Sequence, residues 1–132
     1  MKFMLDTNIC IYVIKQRPET VLKRFTGYPV GDLGLSIVSL AELEYGIARS
    51  SQTGKNRSAL AEFLSPLEVA AFDREAASAY GNIRAAVERK GNPIGSLDLL
   101  IAAHAVSLDV PLVTNNVKEF RRIPDLRVEN WV

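Results

Sequence analysis

Apolar and polar residues succeed one another in short blocks along this chain, and the period of each block names an element. Phe3-Met4-Leu5 is wholly apolar, the pattern of a central strand buried on both faces. Asp6, Thr7 and Asn8 open a helix reaching about Lys15, and Pro18 restarts one reaching about Phe25. Gly27, Pro29, Gly31 and Gly34 mark a loop. Leu35-Ser36-Ile37-Val38 predicts a second strand, after which Ser39 caps a helix to about Arg49. The polar stretch Ser50 to Gly54 breaks it, and Asn56 to Leu64 predicts another helix, ended by Pro66. Glu68 to Phe72 predicts a third strand. Asp73 caps a long helix in which Ala76, Tyr80, Ile83 and Val87 make one apolar stripe, closed by Gly91-Asn92-Pro93. Ser96 caps the next helix, whose middle, Leu99 to Ala103, is apolar nearly all round and so belongs inside the fold. Leu112-Val113 predicts a fourth strand, Val117 to Arg121 a short helix, and Leu126 to Val132 an edge strand. This alternation argues for a parallel sheet covered on both faces.

Composition adds mainly exclusions. A chain of 132 residues, 48% apolar and 23% charged, fits one globular domain over residues 1–132. A net charge of +1 gives no whole-molecule argument for nucleic acid. Cys10 is the only cysteine, so no internal disulfide forms, and a cytoplasmic location is expected. His104 is the only histidine, which leaves almost nothing for a histidine zinc site or a Ser-His-Asp triad. It lies six residues beyond Asp98, nearly on the opposite side of the same helix, and reads as a packing residue. No apolar stretch reaches the roughly 18 residues of a membrane span.

Chemistry concentrates in four short words: Leu5-Asp6-Thr7-Asn8, Ser39-Leu40-Ala41-Glu42, Ser96-Leu97-Asp98 and Thr114-Asn115-Asn116. Each sits where a strand-like run ends or a helical pattern begins, and ligands of parallel sheets collect beyond the carboxyl ends of the strands. Taken singly, each acid has a structural reading. Asp6 is a good N-cap, Glu42 completes a capping box with Ser39, and Asp98 favours the dipole of its helix. Taken together, helix starts at one sheet edge converge. Carboxylates gathered there require a counter-cation, and hard oxygen ligands suit Mg²⁺ or Mn²⁺ better than zinc. Thr7 and Asn8 are placed either to orient the Asp6 carboxylate by hydrogen bonds or simply to start the helix, and Thr114 to buttress the site from the last strand. Asp73 and Glu75 also begin a helix but read as a plain start.

Leu5-Asp6-Thr7-Asn8, Ser39-x-x-Glu42, Asp98 in an apolar helix and Thr114-Asn115-Asn116-x-x-Glu119-Phe120 resemble, in that order and from Met4 to Phe120, the PIN-domain nucleases, and among them the VapC-type toxins of bacterial toxin–antitoxin pairs. The turn Gly91-x-Pro93-Ile94-Gly95 and the final Glu129-Asn130-Trp131 extend the likeness. The resemblance implies a PIN-like three-layer α/β/α fold with a central, mostly parallel sheet of four to five strands. It also implies a magnesium-dependent endoribonuclease, with Mn²⁺ as a substitute, acting on structured RNA, with the anticodon region of tRNA as the leading substrate. Asp6 and Asp98 match the principal metal ligands, Glu42 the third acid, and Asn116 the place where many relatives carry a fourth Asp. Glu119, one turn further, is positioned either to supply the missing charge or to sit solvated beside Lys118. The implied partners are a VapB-like antitoxin and a second copy in a homodimer; Ile9, Ile11, Tyr12 and Ile14 on the first helix suit either core packing or an antitoxin groove. RNA would be held by local cations such as Lys15 and Arg17, Lys23 and Arg24, Lys55 and Arg57, or Arg121 and Arg122.

Two other magnesium-binding α/β classes fit less well. A receiver domain needs a paired acid after its first strand and a Lys after a late one; Asp6 stands alone, and no Lys follows Leu112-Val113. A haloacid-dehalogenase-like phosphatase needs a second Asp after Asp6-Thr7-Asn8. The remaining alternative is a catalytically weakened PIN fold that binds RNA or protein, suggested by the amide at Asn116.

Overall fold

In the computed structural model, which describes residues 1–132, five short strands form one sheet in the order β3-β2-β1-β4-β5, every neighbouring pair parallel. The strands are β1 (Phe3–Leu5), β2 (Leu33–Ser36), β3 (Glu68–Ala70), β4 (Leu112–Val113) and β5 (Val128–Glu129). The helices are α1 (Thr7–Ile14), α2 (Glu19–Thr26), α3 (Ile37–Ala48), α4 (Thr53–Leu64), α5 (Arg74–Arg89), α6 (Ser96–Leu108) and α7 (Val117–Phe120).

Successive side chains of a strand point to opposite faces, and that alternation sorts the core into two halves. Met4 and Leu112 pack with Ile83 and Val87 of α5 and with Ile101 and Ala102 of α6. Their neighbours Leu5 and Val113 pack instead with Ile9 of α1, Val21 of α2, Leu43 of α3 and Phe63 of α4. Helices α1–α4 therefore cover one face and α5 and α6 the other, giving the three-layer α/β/α arrangement. Gly34 lets β2 lie close against β3: a Cβ there would lie 2.5 Å from the Glu68 carbonyl oxygen.

Several boundaries fall elsewhere than the sequence pattern suggests. Ser36, not Ser39, caps α3, its Oγ accepting from the Val38 N–H at 3.0 Å. The β-branched pair Ile37-Val38 resembles a strand by composition, yet this cap draws it into the first helical turn. Ser39 is consequently buried within α3, and no capping box forms. Helix α6 is entered through Gly95, without a side-chain cap, so Ser96 is its first residue. Helix α4 starts earlier, at Thr53; β3 ends at Ala70, and the edge strand shrinks to Val128–Glu129. Asp73 caps α5 as expected, accepting from the Ala76 N–H at 2.9 Å.

The chain runs outward from β1 to β2 and β3, then returns to the other flank of β1 as β4. That reversal opens a crevice between the carboxyl ends of β1 and β4, the place where open parallel sheets bind ligands. Asp6 follows β1 there, and Thr114 follows β4.

Candidate active site

Asp6 shows that its two sequence readings are not exclusive. One carboxylate oxygen caps α1, accepting from the Ile9 N–H at 2.8 Å. The other accepts from the Thr114 hydroxyl across the crevice. The residue is only 4% exposed. Burial pushes its pKa up, opposed by the Thr114 hydroxyl and by the backbone N–H groups of Ile9 and Asn8, while the nearby Glu42 charge pushes it up further.

Loss of the capping box frees Glu42. It stands in the second turn of α3, where its Oε1 accepts from the Thr7 hydroxyl at 2.6 Å. Thr7 thus orients Glu42 rather than Asp6, which corrects the expected pairing. Asn8 reaches Asp6 only through its backbone; its side chain is exposed. Neither Thr7 nor Asn8 steadies Asp6 with its side chain; Thr114, expected to buttress the site from the last strand, does so.

Asp98 is the third residue of α6 and half-buried. Its carboxyl is pushed up to about 6, first by burial, then by the charge of Glu119 and a hydrogen bond with it, then by the charges of Glu42 and Asp6. These influences place carboxylates from four separate segments around one pocket. Glu119 is the member that the sequence pattern left open. The Asn116 side-chain N–H donates to Glu119 Oε2 at 3.0 Å, and the Asn116 backbone N–H donates to Thr114 Oγ1 at 2.9 Å. The amide therefore holds a carboxylate in place of being one. The three-residue spacing from Asn116 to Glu119, which puts both on one face of a helical turn, was the available signal.

None of these four acids takes part in an ion pair, although six pairs form elsewhere in the molecule. Their oxygens are hard donors with no competing cation, a set that suits a divalent ion such as Mg²⁺. Three of them do not converge into a ready-made cage. Mg²⁺ asks for no such cage, since it usually keeps several waters and takes one or two carboxylates.

His104 lies outside the pocket but ties together two of its walls. It is buried on α6, edge-on to Phe72, with Nδ1 2.7 Å from Ser36 Oγ. Burial lowers its pKa, against the backbone of Ala71 and the charge of Asp73, and so favours the neutral ring. Ser36 in turn caps α3, so this contact links the helix carrying Asp98 to the helix carrying Glu42. Beside Glu42, a groove of about 320 Å³ runs between α1, α3 and α4, lined by Ile11, Ile14, Leu43, Ile47 and Lys15 among others.

Comparison with known proteins gives a consistent result. The PIN domain family matches residues 3–126. Ribonuclease VapC2 of Rickettsia felis is 44% identical over 132 residues, covering 99% of this chain and 98% of that protein. The tRNA(fMet)-specific endonuclease VapC of Salmonella typhimurium is 44% identical over 131 residues, with coverage of 99% and 98%. Among solved structures, DNA-bound VapBC from Salmonella typhimurium superposes with a TM-score of 0.94 at 44% identity, over 100% of this chain and 99% of that one.

Proposed function

The chain belongs to the PIN-domain family and, within it, to the VapC ribonucleases, and from that premise we propose that residues 1–132 form one catalytic domain that hydrolyses RNA phosphodiesters with bound Mg²⁺. The carrying observation is the cluster itself: carboxylates from β1–α1, α3 and α7 gathered around Asp98 of α6, none with a cationic partner. Asp6, Asp98 and Glu42 would hold the ion. A bound divalent cation supplies a Lewis acid for the phosphate and acidifies water, so no histidine base is needed.

The protein's own residues prepare that site. Thr114 and the α1 N-terminus fix the two oxygens of Asp6, and Thr7 fixes Glu42. Asn116 holds Glu119 against Asp98, which adds a fourth negative charge. That charge supports an active enzyme over a weakened, binding-only PIN fold. Mn²⁺ fits the same oxygens and is a suitable substitute.

The substrate we propose is tRNA cut in its anticodon region, in keeping with the tRNA(fMet)-specific relative. The resulting block on translation would make the protein a cytoplasmic toxin; no helix is long and apolar enough to cross a membrane. The VapBC assembly of the structural neighbour supports a VapB-like antitoxin. Its segment would lie in the apolar groove, with a basic side chain reaching Glu42, since a guanidinium pairs bidentately with a carboxylate. Exposed Ile37 and Tyr45 on α3 support a homodimer.

Incubation of the purified protein with total tRNA in Mg²⁺ or in EDTA tests this reading. Discrete fragments in Mg²⁺ and none in EDTA are expected. Cleavage that persists in EDTA would refute the metal-dependent mechanism.

A further inference from the structure

An RNA strand brought to four carboxylates meets repulsion, and a chain of net charge +1 offsets it only through cations in the right place. The structure sorts those cations. Arg24 is committed to Glu129 at 2.5 Å and lies over Trp131, Arg57 is paired with Glu44 at 2.8 Å, and Arg84 with Glu88 at 3.1 Å. No carboxylate pairs with Lys90 at the end of α5 or with Arg122 just beyond α7. These two cations, with Val87 and Asn92, line one small cavity of about 150 Å³.

We propose that the Lys90–Arg122 cavity holds a backbone phosphate of the RNA next to the one being cleaved. This rests on the RNA-cleaving reading above and names one of its substrate contacts. Placement supports it. Arg122 donates to the carbonyl of Asn92, at the start of the turn leading into α6. Gly95, at the end of that turn, lies beside Asp98: a Cβ on it would be 3.9 Å from Asp98 Oδ2. Three residues span at most about 11 Å, so Asn92, on the wall of the cavity, lies within that distance of Gly95, the residue beside Asp98. Glu119 faces Asp98 from α7, three residues before Arg122.

A purely structural role uses only part of this arrangement. Lys90 at the α5 C-cap favours the helix dipole, and Arg122 ties down the turn through one nitrogen. The Lys90 ammonium is left without a protein hydrogen bond. Lys15, Arg17, Lys23, Lys55 and Arg121 are also without a carboxylate partner; Lys15 lines the apolar groove with Ile11, Ile14 and Leu43, whose chemistry suits a peptide more than a phosphate, and none of the five shares a cavity with Arg122.

The test is steady-state cleavage of tRNA at several salt concentrations by wild type, Lys90→Gln, Lys90→Arg, Lys15→Gln and Lys2→Gln. For Lys90→Gln, KM is expected to rise several-fold with kcat unchanged. The slope of log KM against log salt should shrink by about 0.7, one phosphate contact on a single strand. Lys90→Arg should restore both, and Lys2→Gln, at the amino end of β1 and away from the carboxylates, should behave as wild type; a role confined to capping α5 would move the melting temperature but not the salt slope. A wild-type slope in Lys90→Gln, or the change appearing in Lys15→Gln instead, would overturn the phosphate site while leaving the nuclease reading intact. Wild type that neither binds nor cleaves RNA would overturn both.

Discussion

Asp6 and Asp98 face the same pocket from opposite layers, yet the protein treats them differently. Asp6 is almost fully buried and wired by a hydroxyl and backbone N–H groups, which compensate much of the cost of burial. Asp98 is half-exposed, and its closest influence is another acid. Its carboxyl stays high, at about 6, first because it is partly buried and then because the charges around it are negative. One carboxylate belongs to the fold as much as to the chemistry; the other is held at a cost that a cation would relieve. Clustered acids whose pKa values are raised by one another are a physical mark of a functional site.

The difference should show first in paired substitutions. Asp6→Asn and Asp98→Asn are each expected to lower cleavage by about a thousandfold or more, the loss of several kcal/mol of charge stabilisation. Their metal-free melting temperatures should diverge. Asp98→Asn removes repulsion and should raise it, whereas Asp6→Asn retains a good cap but disturbs the Thr114 bond and should not. Thermal melts beside the activity assay check both.

Next come the hydroxyls. Thr114→Val leaves one oxygen of a buried carboxylate unpaired, so a stability loss of about 1–3 kcal/mol is expected, with metal affinity weakened about 10- to 100-fold. Thr7→Val should do much less, because Glu42 is only half-buried and water can replace the lost donor. Denaturant unfolding and metal titration of the two variants measure the contrast.

A smaller effect is the response to pH. A carboxyl whose folded pKa is raised binds its proton more tightly in the folded state. The associated stability is present below its ordinary value, near 3.8, and is lost as pH climbs through about 6. The metal-free protein should therefore lose part of its stability between about pH 4 and 7, and Mg²⁺ should restore it at the upper end. Asp98→Asn should flatten that slope. The smallest change expected is in Asn116→Asp, which adds charge but gives up the amide bond to Glu119. Calorimetry should show modestly tighter binding of a second cation; unchanged stoichiometry and affinity would place Asn116 away from the metals.

The sequence carried much of this arrangement because strands and caps are local. Phe3-Met4-Leu5 followed by Asp6, and Leu112-Val113 followed by Thr114, are readable as strand ends without any tertiary knowledge. What was not local was misread. Two serines three apart, Ser36 and Ser39, both offer a cap, and only packing decides between them; the wrong choice confined Glu42 to a capping box that does not exist. Thr7 adjoins Asp6 in sequence, but its hydroxyl is aimed at α3. Glu119 looked like a surface residue beside Lys118 until α7 turned it toward Asp98. Helix starts could be read from the chain, whereas the direction of each side chain depended on its neighbours across the crevice.

The most direct measurement is calorimetric titration of Mn²⁺ into the metal-free protein at neutral pH, comparing wild type with Asp98→Asn. Wild type is expected to bind with release of protons, as a carboxyl raised to about 6 gives up the proton it still partly holds. Asp98→Asn should bind about tenfold or more weakly, without that release. Equal affinity in the two proteins would contradict a cation held among these four carboxylates.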